Sequence, residues 1–234
     1  MGLVTEIYAA AVPKACLLCG DYAEDNALFC DECGKYALHL SRVCPVCGSF
    51  LPLENFPCHF CATYSASEID RFFSPYIYAG AIAKAITEMK YPGNRRAAAV
   101  LARHLAFFLP DAYKNASLII YPPMSRIDRY KRGFNQAALL AETISQMYGI
   151  PLGVGVIKKR KKTEKQASLH GKERVKNLSG AFELSKPTEL DRVIVVDDVI
   201  TTASTVNEIG RVLKKAGATE VYALSIARTS LYFS

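Results

Sequence analysis

The chain has 234 residues, 50% of them hydrophobic, and 29 Lys and Arg against 22 Asp and Glu give it a formal net charge of +7. A chain of this length can bury one sizeable core, and any further segment must be held together by other means. No uninterrupted apolar run reaches 18 residues, so membrane insertion is not expected, and the basic balance favours acidic partners.

Residues 1 to 14 read as a short lead-in without a basic stretch followed by an apolar core, which predicts a cytoplasmic, reducing location. Directly after them come all eight cysteines: Cys16, Cys19, Cys30, Cys33, Cys44, Cys47, Cys58 and Cys61. They form four C-x-x-C pairs that recur every 14 residues, with ten residues between neighbouring pairs. Two thiolates at i and i+3 on a tight knuckle can reach one tetrahedral ion, and Gly20, Gly34 and Gly48 each follow a pair as permissive backbone. The spacing predicts two structural zinc ions, held by Cys16, Cys19, Cys30 and Cys33 and by Cys44, Cys47, Cys58 and Cys61. Disulfides and redox pairs are the competing uses, although four tandem copies are unlike a single redox motif. All-cysteine sites are closed shells, which argues against catalytic zinc. His59, inside the fourth pair, reads as a knuckle side chain, and His39 and His104 have no partner visible in the sequence.

The zinc module is expected over residues 1 to 64, a polar link over Ser65 to Asp70, and an α/β domain over residues 71 to 234. Phe72 to Tyr78 predicts a strand, and Ala81 to Lys90 a helix with Ile82, Ile86 and Met89 on one face. Tyr91-Pro92-Gly93-Asn94 breaks that helix, and Arg95 to Leu109 predicts a second one, stopped by Pro110. Leu118 to Tyr121 predicts a short buried strand. The loop after it carries Arg126, Arg129, Lys131 and Arg132, ahead of a helix from about Phe134 to Met147. Four cations after a strand end suit an anionic group, Arg being fitted to bidentate phosphate contacts, and equally suit a solvated turn.

From Lys158 to Lys176 there are nine Lys or Arg and two Glu, an excess equal to the net charge of the whole chain. Such a segment can track a phosphate backbone without sequence preference, close over an anionic ligand, or serve solubility; His170 lies within it.

The most informative stretch is Val193 to Thr205. Val193 to Val196 is an unbroken β-branched run, as in a parallel strand covered on both faces, and Asp197 and Asp198 follow at its carboxyl end, where ligands bind open α/β sheets. Thr201, Thr202, Ala203, Ser204 and Thr205 then lead into a helix with Val206, Ile209, Val212 and Leu213 at helical spacing, Lys214 and Lys215 in its last turn and Gly217 as the stop. Val221 to Ala227 completes a βαβ unit. Loop and helix N–H groups with the loop hydroxyls suit a phosphate, and the two carboxylates suit the vicinal hydroxyls of a ribose.

This run resembles the phosphoribosyl pyrophosphate (PRPP) motif of type I phosphoribosyltransferases. The resemblance implies that Asp197, Asp198 and Thr201 to Thr205 bind PRPP with Mg²⁺, and that Arg126, Arg129 and Arg132 form the pyrophosphate loop. Ala203 stands where the family pattern usually has Gly; if the backbone there takes positive φ, a Cβ costs about 1 kcal/mol. Thr201 stands where purine-salvage relatives often carry a carboxylate.

Taken with the cysteine pairs, Tyr78-Ala79-Gly80, Lys90-Tyr91, Arg132-Gly133-Phe134-Asn135-Gln136, Gln166, Arg174, Asn177 and Val196-Asp197-Asp198-Val199, the chain resembles the ComF family, which joins a zinc ribbon to a phosphoribosyltransferase-like domain. Tyr121-Pro122-Pro123-Met124 departs from that family's usual Pro-Val-Pro. The resemblance implies a double zinc ribbon on a parallel-sheet domain, PRPP binding, single-stranded DNA handling in natural transformation or DNA utilisation, and protein partners in the DNA-uptake machinery. A nucleobase phosphoribosyltransferase of salvage, and a zinc-ribbon adaptor with a vestigial PRPP site, are the alternatives. No residue stands out as a catalytic base.

Overall fold

The computed structural model describes residues 14–24, 27–53, 56–63, 67–91, 94–160, 178, 180–185, 190–230 and 232. Residues 1–13, part of the polar link and most of the basic segment, with Gln166, His170, Arg174 and Asn177, lie outside the described residues.

In chain order the elements are α1 (Asp31–Gly34), α2 (His59–Thr63), β1 (Arg71–Phe73), β2 (Tyr76–Ile77), α3 (Gly80–Lys90), α4 (Arg95–Phe107), α5 (Asp111–Lys114) and β3 (Leu118–Ile120). They continue with α6 (Arg126–Arg132), α7 (Gln136–Tyr148), β4 (Ile157–Lys159), β5 (Phe182–Leu184), β6 (Arg192–Ile200), α8 (Ser204–Lys215) and β7 (Glu220–Arg228). The sheet runs β1-β7-β6-β3, with β2 also on β7, and every pairing in it is parallel. This bears out the expected α/β sheet.

Alternation along β6 explains why both faces are covered. Ile194 and Val196 join Ile119, Leu224 and Ile226 beneath α3, α4 and α7, where Ile82, Ile86, Met89, Leu101, Leu105, Leu140 and Ile144 are buried. Val193 and Val195 face the other way with Ile120, Val221 and Ala223, covered by Val206, Ile209 and Leu213 of α8. A parallel strand buried on both sides must be apolar at every position, and Val193, Ile194, Val195 and Val196 are all fully buried.

Three local expectations are corrected. The Phe72 to Tyr78 strand is two short strands, broken at Ser74 and Pro75; Pro offers no N–H to a ladder. The four cations after β3 ride on a helix, α6, because the Ser125 hydroxyl caps it by accepting from the Asp128 N–H at 3.0 Å and Gly133, at φ 79°, ends it. The next helix then starts at Gln136, its N–H of Ala138 capped by Asn135. His39 and His104 do have a partner, the ring of Tyr76: its hydroxyl lies 2.6 Å from His104 Nε2, and its centroid 4.7 Å from that of His39.

The cysteine-bearing segment packs onto this sheet. Cys16, Leu28 and Phe29 enter the core cluster beneath α3 and α4. The Ile77 N–H donates to the Leu38 carbonyl at 2.8 Å and the Ala81 N–H to the Tyr36 carbonyl at 3.0 Å. Gly80 opens α3 at φ 52°, where a Cβ would run into that Tyr36 carbonyl, so this close approach requires glycine. Asp70, expected in a linker, is tied down: Oδ2 accepts from the Val221 N–H and pairs with Lys214, both at 2.7 Å.

Candidate phosphoribosyl site and cysteine clusters

The eight thiols form the two expected groups. Cys16, Cys19, Cys30 and Cys33 bring their sulfurs within 4.8 Å of one another, as do Cys44, Cys47, Cys58 and Cys61. Sulfur separations of 3.6 Å (Cys19 to Cys30), 3.5 Å (Cys47 to Cys58) and 3.7 Å (Cys44 to Cys61) sit near the roughly 3.8 Å edge of a tetrahedron with Zn–S bonds of about 2.3 Å. Gly20 (φ 83°) and Gly48 (φ 65°) form the left-handed knuckle turns, whereas Gly34 only ends α1. His59 is exposed and belongs to neither group. Burial opposes ionisation of Cys47, yet the Ser49 hydroxyl and amide and the Arg228 guanidinium outweigh it and bring this thiol down to about 7. A thiolate-lined tetrahedral site with a buried cation beside it fits a zinc ion.

Asp197 and Asp198 lie within the last four residues of β6, Val199 and Ile200 separate them from the loop Thr201 to Thr205, and α8 begins inside that loop at Ser204. Asp197 Oδ1 accepts from the Asp198 N–H at 2.9 Å, and Asp198 Oδ1 from the Val199 N–H at 2.7 Å. Asp198 Oδ2 pairs with Lys90 Nζ at 3.0 Å, bringing the end of α3 over the site. Thr202 and Ser204 share a hydroxyl hydrogen bond. Ala203, at φ 59°, is the one non-glycine residue of positive φ among the described residues, so the conformation that favours Gly is adopted with a Cβ in place. Ala203→Gly is accordingly expected to stabilise the fold by about 0.5 to 1 kcal/mol, read by denaturant unfolding, after allowing for the freer unfolded chain.

Burial first, and then the Asp198 carboxylate, push Asp197 up to about 8 from the ordinary 3.8. Between those values the folded chain holds a proton that the unfolded chain has lost, so this group's contribution to stability falls as pH rises, by up to about 1.4 kcal/mol per pH unit. Asp197→Asn should therefore match the parent in melting temperature near pH 4 and exceed it increasingly towards pH 8. A difference that does not change with pH would contradict this.

The strand β3 pairs with β6, Ile120 opposite Val195, so α6 rises from the same sheet edge as the aspartates. No hydrogen bond or ion pair joins Arg129 or Arg132 to Asp197 or Asp198 among the described residues, and the Arg126 side chain is outside them. Two cations that do reach the site region escaped notice as site residues. Lys90 reads as a helix terminus, and Arg228 is the one cation of strand β7, at its end, which was the available signal.

Comparison with known proteins bears on the fold class and the family. The phosphoribosyl transferase domain family matches residues 131–230. Competence protein F of Haemophilus influenzae is 38% identical over 136 residues, which span 55% of this chain and 59% of that protein. DNA utilization protein YhgH of Shigella flexneri is 31% identical over 157 residues, 65% of this chain and 69% of that one. Orotate phosphoribosyltransferase from Aeropyrum pernix gives a TM-score of 0.36 at 16% identity, over 58% of this chain and 73% of that one, too partial to bear on the site. The fold and its acid pair and loop define a protein with a phosphoribosyltransferase-type domain preceded by two tetracysteine clusters. The chain belongs to the ComF family of competence and DNA-utilisation proteins.

Proposed function

We propose that this protein binds PRPP with Mg²⁺ at the end of β6 and handles single-stranded DNA in the cytoplasm during DNA uptake or utilisation. The observation that carries the reading is the sequence of a buried strand, paired carboxylates, a left-handed turn at Ala203 and the open first turn of α8. N–H groups of the loop Thr201 to Thr205 and of the helix start hold the 5-phosphate, and Asp197 and Asp198 accept from the ribose hydroxyls. Mg²⁺ chelated by the pyrophosphate neutralises charge that would build on it if the C1–O bond broke. Arg129 and Arg132 stand at the same sheet edge, where they suit that leaving group. Phosphoribosyl transfer to a nucleophile is the activity this arrangement suits, and no residue is assigned as its base.

The nucleic-acid part rests on charge. The segment Lys158 to Lys176 carries the whole net charge, and its described start, Lys158 to Arg160, is exposed on the hairpin β4-β5. Helix α6 adds exposed Tyr130 and Ile127 beside Arg129 and Lys131, a set that offers stacking with charge. Two zinc ions complete the ribbon, and the DNA-uptake machinery supplies its protein partners.

The test is a binding series with PRPP and Mg²⁺, ribose 5-phosphate and an unstructured single-stranded oligonucleotide. PRPP should raise the melting temperature more than ribose 5-phosphate. DNA affinity should fall linearly in log salt and lose slope, by up to about 3.5 units, when Lys158, Lys159, Arg160, Lys161 and Lys162 are neutralised. Pyrophosphate release with a defined nucleobase would favour salvage instead, and absence of PRPP binding an adaptor.

A further inference from the structure

The guanidinium of Arg228 is unusual for a strand-ending cation because it is only 1% exposed. Its Nε and Nη2 donate to Ser49 Oγ at 3.0 and 2.9 Å, and the rings of Phe60 and Phe72 lie 5.2 and 5.3 Å from its central carbon. Burying such a group without a counter-charge is strongly unfavourable, yet none of the ion pairs among the described residues includes it, and Nη1 has no hydrogen-bond partner there.

The counter-charge lies in the second cysteine cluster. Cys47 Sγ is 3.2 Å from the same Ser49 Oγ, and Cys44 and Cys58 are further charge neighbours of Arg228. When Cys47 is a thiolate, as metal ligation requires, Ser49 accepts from the guanidinium and turns its one proton to the sulfur. A tetrathiolate around one dication is doubly negative, a match for the buried cation.

The other end of this connection is the phosphate loop. Arg228 stands opposite Ile200 in the β6-β7 ladder, and the Thr229 N–H donates to the Ile200 carbonyl at 3.1 Å, one residue before Thr201. Cys47, Phe60, Ser67, Thr202, Asn207 and Arg228 line one crevice between cluster and loop, across which Ser67 Oγ donates to Asn207 Oδ1 at 3.0 Å. Among the described residues no hydrogen bond joins the first cluster to Thr201 to Thr205, and Cys16 packs into the core cluster with residues of α3 and α4.

We propose that Arg228 is a positioning residue that makes the second cysteine cluster part of the phosphate-binding site: metal there anchors the guanidinium, and the β7-β6 ladder passes its position to Thr201 to Thr205. Metal at the first cluster plays no part in this. The ligand-binding arm of the test rests on the PRPP reading above; the hydrogen-exchange arm does not.

The experiment compares metal-loaded full-length protein with Cys58→Ala, which removes a ligand of the second cluster, Cys19→Ala, which removes one of the first, and Arg228→Met. Cys58→Ala and Arg228→Met should speed amide exchange over Thr201 to Asn207 and weaken PRPP binding at least about fivefold, the lower range of coupling between sites. Cys19→Ala should change neither. If Arg228→Met does not fold, Ser49→Ala cuts the same connection with the cation kept, and should speed metal release from one site of two. Unchanged loop exchange in Cys58→Ala, or an equal response in Cys19→Ala, would overturn the proposal. If the parent protein does not bind PRPP, the PRPP reading fails, and the exchange comparison still decides this one.

Discussion

Removing metal with a strong chelator is expected to unfold the segment from residue 14 to residue 63, while β3, β6 and β7 keep their exchange protection. The module cannot stand on its own apolar contacts: the cluster around the second site amounts to Cys44, Cys47, Leu51 and Phe60, with Cys58 and Cys61 at its edge. Structural zinc in such knuckles supplies about 10 to 16 kcal/mol of apparent binding free energy, which is folding free energy. The loss should spread unevenly, since Leu28 and Phe29 also pack into the main core and would expose the surfaces of α3 and α4. Elemental analysis of protein purified without chelator should find two zinc ions per chain, one for each tetracysteine group. One ion or none, or unchanged exchange in the module after chelation, would contradict this.

How much of this was legible in the sequence depends on the range of the interaction. Periodicity is local, so β6 from its β-branched run, α8 from Val206, Ile209 and Leu213, and the end of α8 near Gly217 could be read directly. Cysteine grouping was legible because ligation follows spacing. Helix α6 was hidden behind its charges, since the decisive signal was the capping hydroxyl of Ser125 and not the run of Arg and Lys. Contacts between distant residues left no pattern: Tyr76 with His104, Lys90 with Asp198, and Arg228 with Ser49, the last 179 residues apart. The positive φ at Ala203 was foreseeable only conditionally, because a family pattern with Gly there marks a backbone demand that alanine meets with strain.

Replacing Asp197 and Asp198 together by Asn should have the largest effect on ligand binding. The change keeps the shape of the strand end, removes the charge of Asp198 and weakens both groups as acceptors, while Lys90 loses the carboxylate 3.0 Å away. Lost charge-assisted hydrogen bonds at the ribose hydroxyls should weaken PRPP binding by about 1.5 to 3 kcal/mol, about tenfold to more than a hundredfold. The variant should fold at least as well as the parent near neutral pH, since burial and the neighbouring carboxylate already disfavour the charge on Asp197. Weak binding therefore could not be assigned to loss of structure.

The central claim, that the end of β6 and the start of α8 form a PRPP site, is tested most directly by calorimetric titration of the zinc-loaded protein with PRPP and Mg²⁺, alongside the double Asn variant. The account predicts one binding event per chain for the parent and a drop of at least about tenfold in affinity for the variant. No heat of binding in the parent, or equal affinity in both proteins, would contradict it.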